Sequence, residues 1–364
     1  MVVPKAKSKG LNPMQTDRVF VIAEAGVNHN GQLHLALELA DAALAAGADA
    51  VKFQVFRTKD VVTPITQTAT YQQVNANETS QFDMLRKLEL SEADFYAIAD
   101  HCKNIGIEFF ATPFSLSAVD MLMGMGVRRM KLPSGEITHR QLVQYIARTG
   151  LPLLMSTGMC TLDEVRTAIR WINEAQPNGG KPSALTVLHC TSSYPASAES
   201  LNLRTILTLA KEMQCPVGYS DHSEGIEAAL SAVALGATVL EKHLTLSRNM
   251  IGPDHAASCA PDEFTHMVKG IRLVEKMLGN GVKKPHVMEY NTRDVARRSI
   301  TLTAERPAGH VLCAEDLEMR RPGTGIEPDA YERVLGSVLR VSLPAYTTLQ
   351  WEMLDVVKQS VVSA

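Results

Sequence analysis

The chain has 364 residues, more than one average domain needs and suited to one large domain followed by a small one. Apolar residues make up 45% and charged residues 21%, which is ordinary for a soluble globular protein. A formal net charge of -3 gives no electrostatic case for nucleic acid or an anionic membrane, so an anion site must be built locally from lysines or arginines.

Residues 1–17 lack the apolar run of a secretory signal and read as an N-terminal extension. No stretch approaches about 18 continuous apolar residues, so no membrane span is expected. Cys102, Cys160, Cys190, Cys215, Cys259 and Cys313 form no CxxC pair, which points to free thiols in a reducing cytoplasm.

Eight apolar runs then follow in order. They are VFVIAEAG ending at Gly26, DAVKFQV at Val55, EFFATPF at Phe114, RMKLPSG at Gly135, LPLLMST at Thr157, ALTVLHCT at Thr191, CPVGYSD at Asp221 and TVLEKHLT at Thr245. Helical spacing or composition follows each, most clearly over 33–46, 91–105, 161–174 and 225–235, with 261–278 closing the series. Eight strands alternating with eight helices in about 250 residues predict a (β/α)8 TIM barrel over 18–280. A doubly wound open sheet is the rival.

The connection from Val55 to Ser91 is long and polar and leaves the C-terminal end of a strand, where a substrate loop or lid is expected. Residues 281–295 read as a linker, and 296–364 as a small β-rich domain. Two segments of that domain, PAGHVLCAEDL and PAYTTLQWEML, look alike and predict pseudo-symmetry.

Barrel enzymes carry their chemistry at the C-terminal ends of strands. Here those ends supply Glu24, Asn28 and His29; Lys52 and Gln54; Thr112; Lys131, Ser134 and Glu136; Ser156 and Thr157; His189 and Thr191; Asp221 and His222; and Glu241 and His243. The i, i+2 spacing of Lys52/Gln54 and Glu241/His243 puts each pair on one strand face. His222 and His243, from adjacent strands, could share a divalent ion or be hydrogen-bonded structural groups. Lys52 and Lys131 with nearby hydroxyls suit a phosphate or carboxylate cradle. Lys52 could instead form an ion pair with Glu24 or Glu241, or a Schiff base, which would make the protein a metal-free aldolase.

The strings IAEAGVNHNG, VKFQ, ATPF, KLPSGE, STGM, HCTSSYP, YSDH, EKHLTL and GPDHAAS resemble the sialic-acid synthases. RRPGTGI (320–326) is similar to their C-terminal antifreeze-like (SAF) domain, so the resemblance spans about residues 18–357. It implies Mn²⁺, with Mg²⁺ or Co²⁺ as alternatives, on His222 and His243. It also implies phosphoenolpyruvate on Lys52, Lys131, Thr112, Ser134 and Ser156. Glu24, Glu136, Glu241 and Asp254 match family acids near metal and sugar, and Gln54 and Tyr194 match sugar contacts. Arg321 matches an arginine lent to the partner subunit, which implies a domain-swapped homodimer. Many bacterial members carry Asn or Thr and then a bulkier residue before the YP motif. Here Ser192–Ser193 stands there, and a water bridging Ser192 to phosphate is expected.

The implied activity condenses phosphoenolpyruvate with an acylated amino sugar and water, releasing phosphate by C–O cleavage. N-acetylmannosamine giving N-acetylneuraminate is the reading adopted. The alternative is 2,4-diacetamido-2,4,6-trideoxymannose giving N,N'-diacetyllegionaminate, and a non-catalytic sugar-binding protein is the rival from another class.

Overall fold

The computed structural model describes residues 18–356 apart from 70–72, 74, 76–77 and 177–183, so the expected extension at 1–17 lies outside the described residues. The chain divides into two compact units, Met1–Gly279 and Asn280–Ala364.

In the first unit the strands are β1 (Phe20–Gly26), β2 (Ala50–Val55), β3 (Glu108–Pro113) and β4 (Met130–Leu132), then β5 (Leu153–Ser156), β6 (Leu185–Cys190), β7 (Val217–Asp221) and β8 (Val239–His243). They form one sheet in the order β3-β2-β1-β8-β7-β6-β5-β4, and every ladder is parallel. In an open sheet β3 and β4 would be opposite edges. Here they lie side by side, so the sheet curls into a barrel of the (β/α)8 kind.

The helices start where short polar side chains satisfy the free N–H groups of the first turn. Ser91 with Asp94 and Thr161 with Glu164 form reciprocal caps, and Ser115 accepts from the Ala118 N–H at 3.2 Å. Pro261 opens the last barrel helix, Pro261–Leu278, where its missing N–H costs nothing. Apolar side chains such as Ile22, Phe53, Leu122, Met130 and Phe264 pack between sheet and helices.

The long connection after β2 has helical segments among its described residues. It carries a short helix, Thr58–Val61, and a longer one, Gln81–Leu88, which Ser80 caps by accepting from the Asp83 N–H at 3.2 Å. Met84 and Leu88 cluster with Val27 and Phe56, which ties the longer helix to the barrel mouth. Gly31, with φ +69°, allows the closest approach, since a Cβ there would stand 2.4 Å from the Lys87 carbonyl oxygen.

In the second unit, the expected linker holds a helix at Tyr290–Ala296, immediately before β9 (Ser299–Leu302). β9 pairs antiparallel with β10 (Leu317–Arg320), and β11 (Val338–Leu339) with β12 (Leu354–Asp355). The two look-alike segments adopt the same form, each passing a 3-10 turn (Ala314–Asp316 or Trp351–Met353) into a strand. Ile300, Leu312, Leu339 and Leu349 anchor this unit's own core. Among the described residues no helix is long and apolar enough to cross a membrane.

Replacing Gly31 with alanine should cost about 1–3 kcal/mol, because the new methyl meets backbone rather than a yielding side chain. The urea midpoint measures it, and an unshifted midpoint would contradict this packing.

Candidate active site

The C-terminal ends of the strands surround a cavity of about 470 Å³. β1 brings Glu24, β2 Lys52 and Gln54, β3 Thr112, and β4 Lys131 with Ser134 just beyond it. β5 adds Ser156, and the segment after β6 adds Ser192 and Tyr194. His222 follows β7, β8 supplies Glu241 and His243, and Asp254 lies on the connection after β8.

Strand register creates the central charge cluster. Glu24 pairs in register with Lys52 on one side and His243 on the other, while Glu241 pairs with Ser220. Lys52 Nζ lies 2.7 Å from Glu24 and 3.6 Å from Glu241, and it donates to the Thr112 hydroxyl at 3.1 Å. Lys131 Nζ donates to Glu241 at 3.0 Å, the Ser220 hydroxyl donates to the same oxygen at 2.9 Å, and the Gln54 amide donates to Glu24 at 3.0 Å. All four charged side chains are at least 95% buried. Two ammonium groups facing two carboxylates make such burial tolerable.

Burial pushes the Glu241 carboxyl up, but Lys131 and Lys52 outweigh it and hold it far below the usual carboxylate range. Burial pulls Lys52 down, but Glu24 and Glu241 outweigh it, so Lys52 stays a cation. Lys131 is lowered, because burial wins over the pull of Glu241. Glu24 is raised by burial despite Lys52, and Asp254 is raised to about 6 by burial and by Glu24.

Beside this cluster the His222 and His243 rings stand 5.5 Å apart, centroid to centroid. His222 Nδ1 lies 2.8 Å from the Thr191 carbonyl. Burial pulls His222 down, but Cys190 and the Thr191 carbonyl outweigh it and raise the imidazole. Since a carbonyl only accepts, Nδ1 carries a proton, and the nitrogen left for other contacts is Nε2. That nitrogen is 3.1 Å from the Tyr194 hydroxyl, whose ring stacks on His222 with centroids 4.1 Å apart. His243 Nδ1 is buried with no hydrogen-bond partner among the described residues, 3.9 Å from the Asp254 carboxylate. Burial, then His222, holds His243 neutral. No group of three or more His, Cys, Asp or Glu side chains is gathered as a ready-made metal cage among the described residues.

Ser134, Ser156 and Ser192 line the cavity as well. The Ser134 oxygen accepts from the Gly158 N–H at 2.8 Å, and the buried Ser156 hydroxyl has no hydrogen-bond partner among the described residues. A Cβ on Gly158 would fall 2.2 Å from the Ser192 oxygen and 3.0 Å from that of Ser134.

One expected site residue is placed elsewhere. Glu136 does not line the cavity; it bonds His139 Nδ1 at 2.7 Å across one turn. Arg321 lies exposed in the second unit. Among the other polar strand ends, Asp221 is committed to Lys242 at 2.7 Å, His189 to the Leu201 carbonyl, and His29 Nδ1 accepts from the Gly31 N–H. The sequence reading missed Cys190 and Ser220, register neighbours on β6 and β7, and the cavity-facing side of helix Gln81–Leu88.

Glu241→Gln should destabilise the protein by about 3–5 kcal/mol, since it removes the carboxylate shared by two buried ammonium groups. Glu136→Gln should stay within about 0.5 kcal/mol, as a surface change does. Equal denaturation midpoints for the two variants would contradict the assigned charge balance.

Residues 39–283 match the NeuB family and residues 297–355 the SAF domain. The chain is 47% identical to N,N'-diacetyllegionaminic acid synthase of Legionella pneumophila over 96% of its own length and 98% of that protein. It is 40% identical to the Campylobacter jejuni protein of the same name, over 88% of its own length and 96% of that protein. A crystal structure of N-acetylneuraminic acid (sialic acid) synthetase from Leptospira borgpetersenii, in complex with citrate, superposes with a TM-score of 0.66 at 34% identity, over 76% of this chain and 90% of that one. With a barrel whose strand ends gather two lysines, two carboxylates and two imidazoles, this chain belongs to the NeuB family and carries a C-terminal SAF domain.

Proposed function

We propose that the protein condenses phosphoenolpyruvate with 2,4-diacetamido-2,4,6-trideoxymannose and water, giving N,N'-diacetyllegionaminate and phosphate. The observation that carries the condensing chemistry is the buried Lys52–Glu241–Lys131 cluster beside the His222–His243 pair. Support for the sugar comes from the relatives named for legionaminate, at 47% and 40% identity against 34% for the sialic-acid synthetase structure. This reverses the order adopted from the sequence, where N-acetylmannosamine came first. The quoted motifs build the enol-phosphate and imidazole side of the cavity, which both reactions need, so they do not separate the sugars.

The donor set fits a divalent cation. His222 Nε2, with Nδ1 turned to the Thr191 carbonyl, and the unpartnered His243 Nδ1 would hold it, His222 giving up a proton on binding. Two neutral nitrogens with room for oxygen ligands suit Mn²⁺, with Mg²⁺ or Co²⁺ as alternatives. Such an ion, when bound, supplies Lewis acidity toward the sugar's aldehyde oxygen.

The chain's own groups do the rest. Lys52 and Lys131 hold the phosphate and carboxylate of the enol phosphate, and the hydroxyls of Thr112, Ser134 and Ser156 donate to them. Held there, C3 bonds to the aldehyde carbon and positive charge develops at C2. Glu24, raised by burial, takes a proton from the water that adds at C2, which balances the proton the aldehyde oxygen takes up to become a hydroxyl. The C2 hydroxyl proton leaves with phosphate as the C2 ketone forms. The two lysines then stabilise phosphate as the C–O bond breaks. Ser192 borders the same cradle next to Gly158, and a water bridging it to phosphate completes the set. A Schiff base at Lys52 is disfavoured, because its ammonium is tied to Glu24 at 2.7 Å and to the Thr112 hydroxyl at 3.1 Å. From the family resemblance we carry forward a homodimer in which Arg321 completes the partner's sugar site, in the cytoplasm.

Phosphate release should be faster with the trideoxy sugar than with N-acetylmannosamine, cease on treatment with EDTA, and return with Mn²⁺. Oxygen-18 in the C–O–P bridge should leave in phosphate. Label retained in the sugar acid, or full turnover after metal removal with borohydride trapping at a lysine, would overturn the mechanism. Arg321→Ala should raise the sugar KM while leaving the thermal midpoint within about 2 °C, and wild-type kinetics would remove it from the sugar site.

A further inference from the structure

Helix Gln81–Leu88 presents two unlike faces. Gln81, Met84, Leu85 and Leu88, at positions i, i+3, i+4 and i+7, line the cavity, while Asp83, Arg86 and Lys87 are exposed. Val27 and Phe114 belong to the same lining, so one wall of an otherwise charged site is apolar. Two separate contacts hold that wall in place. Met84 and Leu88 cluster with Val27 and Phe56, and the Lys87 carbonyl rests against Gly31.

The reacting end of the sugar must meet the imidazoles and the enol phosphate at the strand ends. Its far end therefore extends toward the mouth, where the connection after β2 lies. The two candidate sugars are alike from C1 to C3. They differ at C4, where acetamido replaces hydroxyl, and at C6, where methyl replaces hydroxymethyl. The trideoxy sugar thus offers three methyl groups against one. An apolar wall gains by covering methyls and would strip water from a C6 hydroxyl without replacing its hydrogen bonds. The Gln81 amide, one turn before Leu85, can serve the C4 acetamido group, which both donates and accepts.

We infer that the inward face of helix Gln81–Leu88, centred on Leu85 and opened by Gln81, selects a 6-deoxy, 4-acetamido sugar. This selector rests on the substrate reading given under the proposed function. Leu85 is the position to change, because it is only half-buried, at the edge of the cluster whose buried members include Met84 and Leu88.

The test compares kcat/KM for the two sugars, with saturating phosphoenolpyruvate, in the full-length wild type, Leu85→Asn and Leu85→Met. Leu85→Asn should lower the ratio in favour of the trideoxy sugar by about tenfold or more, chiefly through sugar KM. Leu85→Met, close in volume and still apolar, should keep it. An unchanged ratio in Leu85→Asn, or a parallel fall for both sugars, would overturn the selector while leaving the substrate reading intact. A wild type that prefers N-acetylmannosamine would sink the substrate reading itself, and the selector with it.

Discussion

The structure is organised around one carboxylate shared between two ammonium groups in a place water barely reaches. Glu241 sits between Lys131 and Lys52, and Glu24 closes the set from the neighbouring strand. Any one of these charges alone at that depth would cost several kcal/mol, roughly, or lose its charge. Together they are neutral, so the barrel can fold around them. The positive side of the cluster is complemented by hydroxyls, among them the unpartnered Ser156, rather than by further lysines.

The imidazole pair is built to a different rule. The Thr191 carbonyl sets the His222 tautomer, and Tyr194 packs across both rings. His243 is kept neutral by burial and by His222 itself. His243, already neutral, can accept a cation without first losing a proton, whereas His222 would release one on binding.

Much of this was legible in the sequence because strand-end chemistry obeys a short period. Lys52/Gln54 and Glu241/His243 alternate as a strand requires, and each apolar run placed its strand within a few residues. Residues whose role depends on register were harder to read. Ser220 matters because it stands opposite Glu241, and Cys190 because it stands opposite Ser220; no local pattern announces either pairing. Glu136 shows the reverse error. It directly follows Ser134 and Gly135, but a 3-10 turn over Ser134–Glu136 carries its side chain out to His139. Helix Gln81–Leu88 did carry a signal, a Ser cap followed by apolar residues at helical spacing, set within a polar stretch that read as loop.

The claim on which everything else rests is that Lys52 and Lys131 form an anion cradle that exists before substrate arrives. Calorimetric titration of the full-length protein with phosphoenolpyruvate, in wild type and in Lys131→Met whose fold is verified by circular dichroism, tests it most directly. The account predicts that wild type binds and that the variant binds at least a hundredfold more weakly, about 2.7 kcal/mol. Equal affinity in the two proteins would contradict it.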